Sequence, residues 1–218
     1  MIEKYKCVYI GGQGEIVEKK SRFIVTLQPV DTEEEAIAFI EATKKKYWDA
    51  RHNCSAYIIG ERGEVERCSD DGEPNQTAGK PMLEVLRGLE LRNVVVVVTR
   101  YFGGTLLGTG GLVRAYTQAV KAGIDNSVLV EKVLAIKLNI GTDYNGVGKI
   151  QYILGQNQIQ ILASDYGESV NITALVPLPE VENIKAQITE GTNGRAVLEP
   201  GEQVYFGVVE KEIVLFDH

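Results

Sequence analysis

The chain contains few cysteines and no long hydrophobic run. Its three cysteines, Cys7, Cys54 and Cys68, are scattered along 218 residues, which is typical of free thiols in a reducing compartment. The longest apolar run is the valine segment 94–98, far short of the roughly 20 apolar residues that span a bilayer. The first residues lack the apolar core and cleavage site of a secretory signal. We therefore expect a cytoplasmic protein with no membrane partner.

Standard motifs for nucleotide binding and hydrolysis are missing as well. The spacing from Gly103 to Gly108 matches the start of a P-loop, but Thr109-Gly110 stands where Lys-Ser/Thr is required. The dinucleotide pattern fails because Val113 occupies its last glycine position. There is no nucleophile elbow and no pair of zinc-binding histidines. These absences argue against an NTPase, a dehydrogenase or a hydrolase, and we expect no cofactor and no metal.

The chain also has no excess of basic charge. Its formal net charge is −7, whereas broad binding to nucleic acid usually needs a basic face. The charge is unevenly distributed, because residues 1–132 carry 18 basic and 19 acidic side chains and residues 133–218 carry 5 and 11. An anion-binding site is therefore expected in the first part.

In the first part, the apolar periodicity predicts both strands and helices. Residues 15–29 alternate as one long strand with Phe23, Val25 and Leu27 on one face. Thr32 and Glu35 have the spacing of a capping box, which predicts the start of a helix with the apolar stripe Ala36, Ile37 and Ile40. The remaining pattern predicts strands over 54–59, up to Cys68 and over 94–98, and helices over 78–89 and 110–123.

The second part shows the element order β-α-β-β-α-β, which is that of a ferredoxin-like domain. Its strands are predicted over 133–140, 159–164, 170–176 and 204–209, and its helices over 145–156 and from Pro179 to 189. A hairpin turn is expected at Tyr166-Gly167. We place the domain boundary between residues 132 and 133, which gives domains 1–132 and 133–218.

The segment from Arg100 to Arg114 is the most informative part of the chain. A glycine-rich turn follows the valine strand and leads into a helix, an arrangement that directs main-chain N–H groups at an anion. The flanking arginines supply charge-assisted hydrogen bonds. Alternatively, the glycines serve only close packing or positive φ angles. The five glycines are Gly103, Gly104, Gly108, Gly110 and Gly111.

An acidic loop contains Asp70, Asp71 and Glu73. Such a loop can orient water, bind a divalent cation or contact a basic partner, but the calcium-loop spacing is absent. A tight turn at Asp-Gly and Glu-Pro explains much of the composition. Thr77 then either caps the following helix or directs its hydroxyl at the same pocket as the glycine loop.

His52 and Cys54 form the other reactive cluster. Neighbouring histidine and cysteine can ligate a metal or act as a base and a nucleophile. Cysteines on adjacent strands, such as Cys54 and Cys68, are more often core residues. His52 is the only histidine away from the C-terminus, which keeps it a candidate site residue.

Five segments together resemble the YigZ/IMPACT family, in the family's order. They are Ser21-Arg22-Phe23, residues 50–57 (ARHNCSAY), residues 70–74 (DDGEP), residues 77–83 (TAGKPML) and residues 100–116. One departure is that Asn75-Gln76 stands where the family usually has a small residue and a glycine. The second part resembles the small C-terminal domain of the bacterial two-domain members.

This resemblance implies the α+β class. The N-terminal α/β domain is expected to have the fold of domain IV of elongation factor G, and the ferredoxin-like C-terminal domain to resemble domain V of that factor. Eukaryotic members regulate translation by competing for a scaffold that activates a starvation-responsive kinase. For bacterial members, binding to nucleic acid or the ribosome is the usual inference.

Three hypotheses follow. In the first, a non-enzymatic protein binds RNA or the ribosome, with Arg22, Arg100 and Arg114 on phosphates and the acidic loop tuning specificity or holding the arginines. In the second, the protein is an interaction module with an exposed apolar patch, expected on the ferredoxin-like sheet. In the third, an enzyme acts on an anionic small molecule through His52 and the acidic loop.

Overall fold

A computed structural model describes residues 1–216, so the last two residues of the expected second domain lie outside the described part. The chain forms two compact units. One comprises residues 5–130, and the other comprises residues 1–4 and the chain from residue 131 onward. Both units combine helices with sheets, which confirms the α+β class.

Strands and helices alternate along the first unit. Its strands are β1 (Lys4–Ile10), β2 (Gln13–Glu18), β3 (Ser21–Pro29), β4 (His52–Ile59), β5 (Val65–Ser69), β6 (Leu91–Arg92) and β7 (Val94–Tyr101). Its helices are α1 (Glu33–Lys46), α2 (Gly79–Gly88) and α3 (Gly108–Asp125). Five of the strands form an antiparallel sheet in the order β2-β3-β7-β4-β5, and β1 pairs with β6 in parallel.

The valine strand β7 explains why this unit has helices on both faces of its sheet. Side chains alternate along a strand, so Val94, Val96 and Val98 pack with α2 and α3 while Val95 and Val97 pack with α1. All five valines are fully buried. A strand that is covered on both faces is apolar at successive positions, without the apolar–polar alternation of a half-exposed strand. The uninterrupted valine run has this pattern.

The predicted long strand over 15–29 is wrong, because the chain reverses direction within it. Strands β2 and β3 form a hairpin around Lys19 and Lys20, whose φ angles are +46° and +66°. Two successive positive φ angles give a two-residue turn that matches the twist of the strands. The alternation continues on both sides of this turn, so the apolar pattern alone does not reveal it.

Helix α1 begins as predicted, since Thr32 and Glu35 form the capping box. The predicted stripe is only partly correct. Ala36 and Ile40 are buried, whereas Ile37 is 49% exposed.

The second unit has the predicted β-α-β-β-α-β order. Its elements are β8 (Val128–Thr142), α4 (Tyr144–Gln156), β9 (Gln160–Tyr166), β10 (Val170–Pro177), α5 (Val181–Gly191), β11 (Val197–Val209) and a further strand β12 (Glu212–Phe216). The sheet order β9-β10-β8-β11-β12 is antiparallel throughout. Pro179 lies in a single 3₁₀ turn before α5. Helices α4 and α5 cover one face of the sheet, around residues such as Leu154 and Ile184.

None of the helices within residues 1–216 combines the length and the apolar character needed to cross a bilayer. All three cysteines are free thiols.

Candidate functional site

The end of strand β7 places a charge inside the first unit. Arg100 continues the alternation of Val94, Val96 and Val98, so its side chain points to the face covered by α2 and α3. It lies opposite Phe23 on β3 and His52 on β4 and is only 6% exposed. A buried guanidinium needs a fixed counter-charge, and the acidic loop provides it.

Glu73 is that counter-charge. Its Oε1 accepts hydrogen bonds from an Arg100 guanidinium nitrogen and from the Tyr116 hydroxyl, both at 2.7 Å. The phenyl rings of Phe23 and Phe102 lie 5.5 and 5.6 Å from the guanidinium carbon. From the sequence, Arg100 was expected to contact phosphate. The structure instead commits this arginine to a buried ion pair that holds the acidic loop against the sheet.

Two weak acids extend this cluster. The Cys54 Sγ lies 3.0 Å from the Asp70 carbonyl oxygen and 3.3 Å from the Tyr116 hydroxyl, so its single S–H is within donor reach of both. Burial raises the pKa of both Cys54 and Tyr116, so both stay protonated at neutral pH and act as donors. A buried protonated thiol is a poor nucleophile. Cys54 is therefore a core residue, one of the two alternatives left open by the sequence.

The aspartates of the acidic loop are also engaged internally. Asp70 Oδ1 accepts from the backbone N–H groups of Ala78 and Gly79 at 3.1 and 2.8 Å. Asp71 Oδ2 accepts from the N–H of Asn53 at 2.7 Å, and its Oδ1 lies 3.2 Å from Lys44 Nζ. The carboxylates of the loop thus hold neighbouring segments of the protein together. Residues 1–216 contain no cluster of three metal-ligating side chains.

Thr77 does not take either of its two expected roles. Its hydroxyl donates to the Pro74 carbonyl at 2.6 Å, and Asp70 caps α2 in its place. Gln76, at the position where the family usually has glycine, adopts a φ of +61°. That left-handed conformation favours glycine, the residue that the resemblance implies here.

His52 lies against the acidic loop, as the enzyme hypothesis requires. The polar groups of both are, however, largely engaged in hydrogen bonds and ion pairs within the protein. His52 Nδ1 lies 3.0 Å from the Asp71 carbonyl oxygen, and its Nε2 lies 4.0 Å from Glu73 Oε2. The Glu73 side chain is 3% exposed. The nearest carboxylate is therefore committed to structure, which weakens its use as an acid or base.

The glycine loop connects β7 to α3, and only part of it is packed against other residues. The Gly103 N–H donates to the Ser21 hydroxyl at 3.1 Å, and a Cβ there would come within 2.0 Å of the Lys20 carbonyl carbon. Gly103 thus serves close packing. Gly104 and Gly108 have positive φ angles of +86° and +70° and are exposed, so they serve the turn.

The start of α3 reaches the surface. Its N-cap residue, Leu107, has no side-chain acceptor for the first N–H groups. Gly108, Thr109 and Gly110 are exposed, and Gly111 is partly exposed. Uncapped N–H groups and the helix dipole together favour an anion at this position.

The two remaining arginines have different surroundings. Arg22 is exposed and makes two hydrogen bonds to the Glu15 carboxylate, at 2.7 and 3.1 Å. Arg114 is exposed and has no ion pair within residues 1–216. It lines a cleft of about 170 Å³ with Gly111, Lys19 and Glu18. Of the three predicted arginines, Arg114 is the one whose guanidinium remains free beside the glycine loop.

Sequence reasoning missed an aromatic and basic surface next to this loop. Trp48 is 83% exposed and Phe102 is 52% exposed. Arg51 lines a cavity of about 240 Å³ together with His52, Arg100, Tyr101, Phe102 and Asp49. The available signal was the only tryptophan of the chain, lying between a lysine run and Arg51.

Comparison with known proteins identifies the family. IMPACT family member YvyE of Bacillus subtilis (strain 168) is 43% identical over 205 residues, which cover 94% of each chain. The chain belongs to the IMPACT family. The Impact N-terminal domain matches residues 19–124, and a domain of unknown function, DUF1949, matches residues 140–195.

A further IMPACT relative and a solved structure are also similar to this chain. Family member YigZ of Escherichia coli (strain K12) is 38% identical over 178 residues, covering 81% of this chain and 87% of the relative. A crystal structure described as that of a hypothetical protein has a TM-score of 0.57 and 33% identity, and it covers 93% of this chain and 99% of its own. The resemblance to the YigZ/IMPACT family is thereby confirmed.

Proposed function

We propose that this protein is a cytoplasmic regulatory protein of translation that binds RNA or the ribosome through its first unit. Membership of the IMPACT family supports the link to translation, because the eukaryotic members regulate that process. The observation that carries the RNA hypothesis is the uncapped start of α3 beside the unpaired Arg114.

The proposed contact is to backbone phosphate. N–H groups of the first turn of α3, between Gly108 and Gly111, face the anion, and Gly104 gives the turn its shape. Arg114 and Lys19 supply positive charge at the adjoining cleft. Arg22 contributes only if its Glu15 partner is displaced. Arg100 takes no part, because its guanidinium is buried against Glu73.

Salt-dependent RNA binding tests this proposal. In filter-binding titrations between about 50 and 200 mM salt, we expect affinity to fall as salt rises, because phosphate contacts release counterions. Arg114→Gln should weaken binding and reduce the slope of log K against log salt by about 0.7–0.9. The matched control is Arg62→Gln, an exposed arginine in the turn after β4. Binding that is absent, or insensitive to salt and to Arg114→Gln, contradicts the proposal.

One observation favours a second candidate, a protein-interaction module. A groove of about 880 Å³ lies between α2 and α3. Its lining is mostly apolar and includes Val85, Leu89 and Val113, with Lys80 and Lys121 also present. A pull-down whose protein partner resists ribonuclease and is lost on Val85→Asp would favour this candidate over RNA.

A further inference from the structure

We propose that the surface at the end of β7, where Arg51 and Phe102 line one cavity and Trp48 lies on the adjoining turn, binds unpaired RNA bases, so that the RNA-binding site prefers single strands. This inference rests on the proposed function and specifies its ligand. The rings provide stacking faces, and the neighbouring cations contact the phosphates that link the stacked nucleotides.

The rings are accessible. Trp48 is 83% exposed although tryptophan is highly buried on average, and no ring contact involves it within residues 1–216. Phe102 presents half of its surface to solvent while its ring lies 5.6 Å from the Arg100 guanidinium. An exposed ring with a free face offers stacking to any base, because every base has a π-face.

The turn that carries Trp48 is fixed in place. The Ala50 N–H donates to the Tyr47 carbonyl at 3.0 Å, and the Tyr101 hydroxyl donates to Asp49 Oδ1 at 2.7 Å. This bond ties the turn to the end of β7, directly before Phe102. It also occupies the only carboxylate between residues 44 and 52.

Basic side chains flank Trp48 in the chain. Lys45, Lys46 and Arg51 are exposed and have no acidic partner within the described residues. They lie in a segment with four basic side chains and one acidic side chain. This local excess contrasts with the net charge of −7 and complements a phosphate backbone.

The cavity between Arg51 and Phe102 is lined in part by a buried arginine. Arg100 lines this cavity and is more than nine-tenths buried, yet its Nε has no hydrogen-bond partner. Buried donors without a partner are rare. The Nε is shielded from solvent, so Arg100 bounds the cavity of about 240 Å³ without contacting the bound RNA.

The chain connects this surface to the proposed phosphate site. Tyr101 and Phe102 lead directly into the glycine loop, and Arg22 lies opposite Tyr101 across the β3–β7 pair. In this proposal, an RNA strand follows the loop from Phe102 to the start of α3. In a duplex the bases are paired and stacked inside, so only unpaired nucleotides can use the rings.

Fluorescence of the intact chain tests the inference directly, because Trp48 is its only tryptophan. We expect a single-stranded oligoribonucleotide to quench Trp48 emission and to bind more tightly than the same sequence in a duplex. In filter binding, Trp48→Leu and Phe102→Leu should each weaken single-strand binding by about 5- to 150-fold. Trp48→Phe and Phe102→Tyr, which keep a ring, should retain most of it. Arg51→Gln should weaken binding and lower the salt dependence.

The control is Tyr152→Leu, an exposed ring on α4 beside Lys149, and it should leave binding unchanged. If RNA binds and depends on Arg114, but equally as duplex and single strand and without quenching or ring effects, the inference is overturned while the proposed function stands. If neither form of RNA binds, both are overturned. Binding of a phosphopeptide with the same quenching, and no RNA binding, would assign the surface to a different partner.

Discussion

At the scale of single residues, chemically identical side chains have different roles because their surroundings differ. Arg100 is buried and paired with Glu73, Arg22 is exposed and paired with Glu15, and Arg114 is exposed and unpaired. The sequence identified all three as candidates for phosphate binding. Only burial and the position of the nearest carboxylate separate them, and neither is visible in a local motif.

The Arg100–Glu73 pair gives a stability prediction. Glu73→Ala should lower the free energy of unfolding by about 3–5 kcal/mol, because it leaves a buried guanidinium without a counter-charge. Tyr116→Phe removes one donor to the same carboxylate and should cost about 1.5–3 kcal/mol. Urea denaturation followed by circular dichroism measures both.

The matched control for this pair is Glu15→Ala, which breaks the exposed ion pair with Arg22. Solvent screens that pair, so its loss should barely change the denaturation midpoint. Equal effects of Glu73→Ala and Glu15→Ala would contradict the buried network.

At the scale of elements, helices α1 and α2 differ in how far the adjacent sequence determines where the helix begins. The capping box of α1 is contained within four residues, Thr32 to Glu35, and the sequence predicted it. The cap of α2 comes from Asp70, eight and nine residues before the N–H groups that it accepts from. The sequence instead pointed to the adjacent Thr77, because a distant cap depends on how the acidic loop folds.

This difference is testable by a pair of substitutions. Asp70→Ala should destabilise the protein by about 0.5–2 kcal/mol, the usual cost of losing a helix cap. Thr77→Val should cost less, because the Pro74 carbonyl keeps the N–H of residue 77 as a donor at 3.1 Å. Thermal or urea unfolding of the two variants decides the matter, and a larger effect of Thr77→Val would reassign the cap.

At the scale of the whole molecule, the two units have separate hydrophobic cores. The core of the first unit gathers residues such as Val96 and Leu86, and that of the second gathers residues such as Leu154 and Ile184. The charge is divided as well, since residues 133–218 carry most of the net negative charge. The acidic second part repels a polyanion, which is a further reason to place RNA binding on the first unit.

The separate cores predict a local response to core substitutions. Leu154→Ala should cost about 2–5 kcal/mol of stability in the second unit. Hydrogen exchange followed by mass spectrometry should show faster exchange in peptides around residues 150–154 and 172–176, with residues 94–98 unchanged. Leu86→Ala should give the reverse pattern, and uniform acceleration in both variants would show that the chain opens as one unit.

The sequence by itself determined the elements whose signals are local: the valine strand, the capping box of α1, the β-α-β-β-α-β order and the family motifs. The tertiary structure alone decided which groups of the candidate site remain free. In the folded chain, Arg100 points inward and pairs with Glu73, and the Gly103 N–H donates to the Ser21 hydroxyl. Arg114, Trp48 and Phe102 stay exposed. The reason is that periodicity and capping act over a few residues, whereas burial and ion pairing depend on segments that are far apart in the chain.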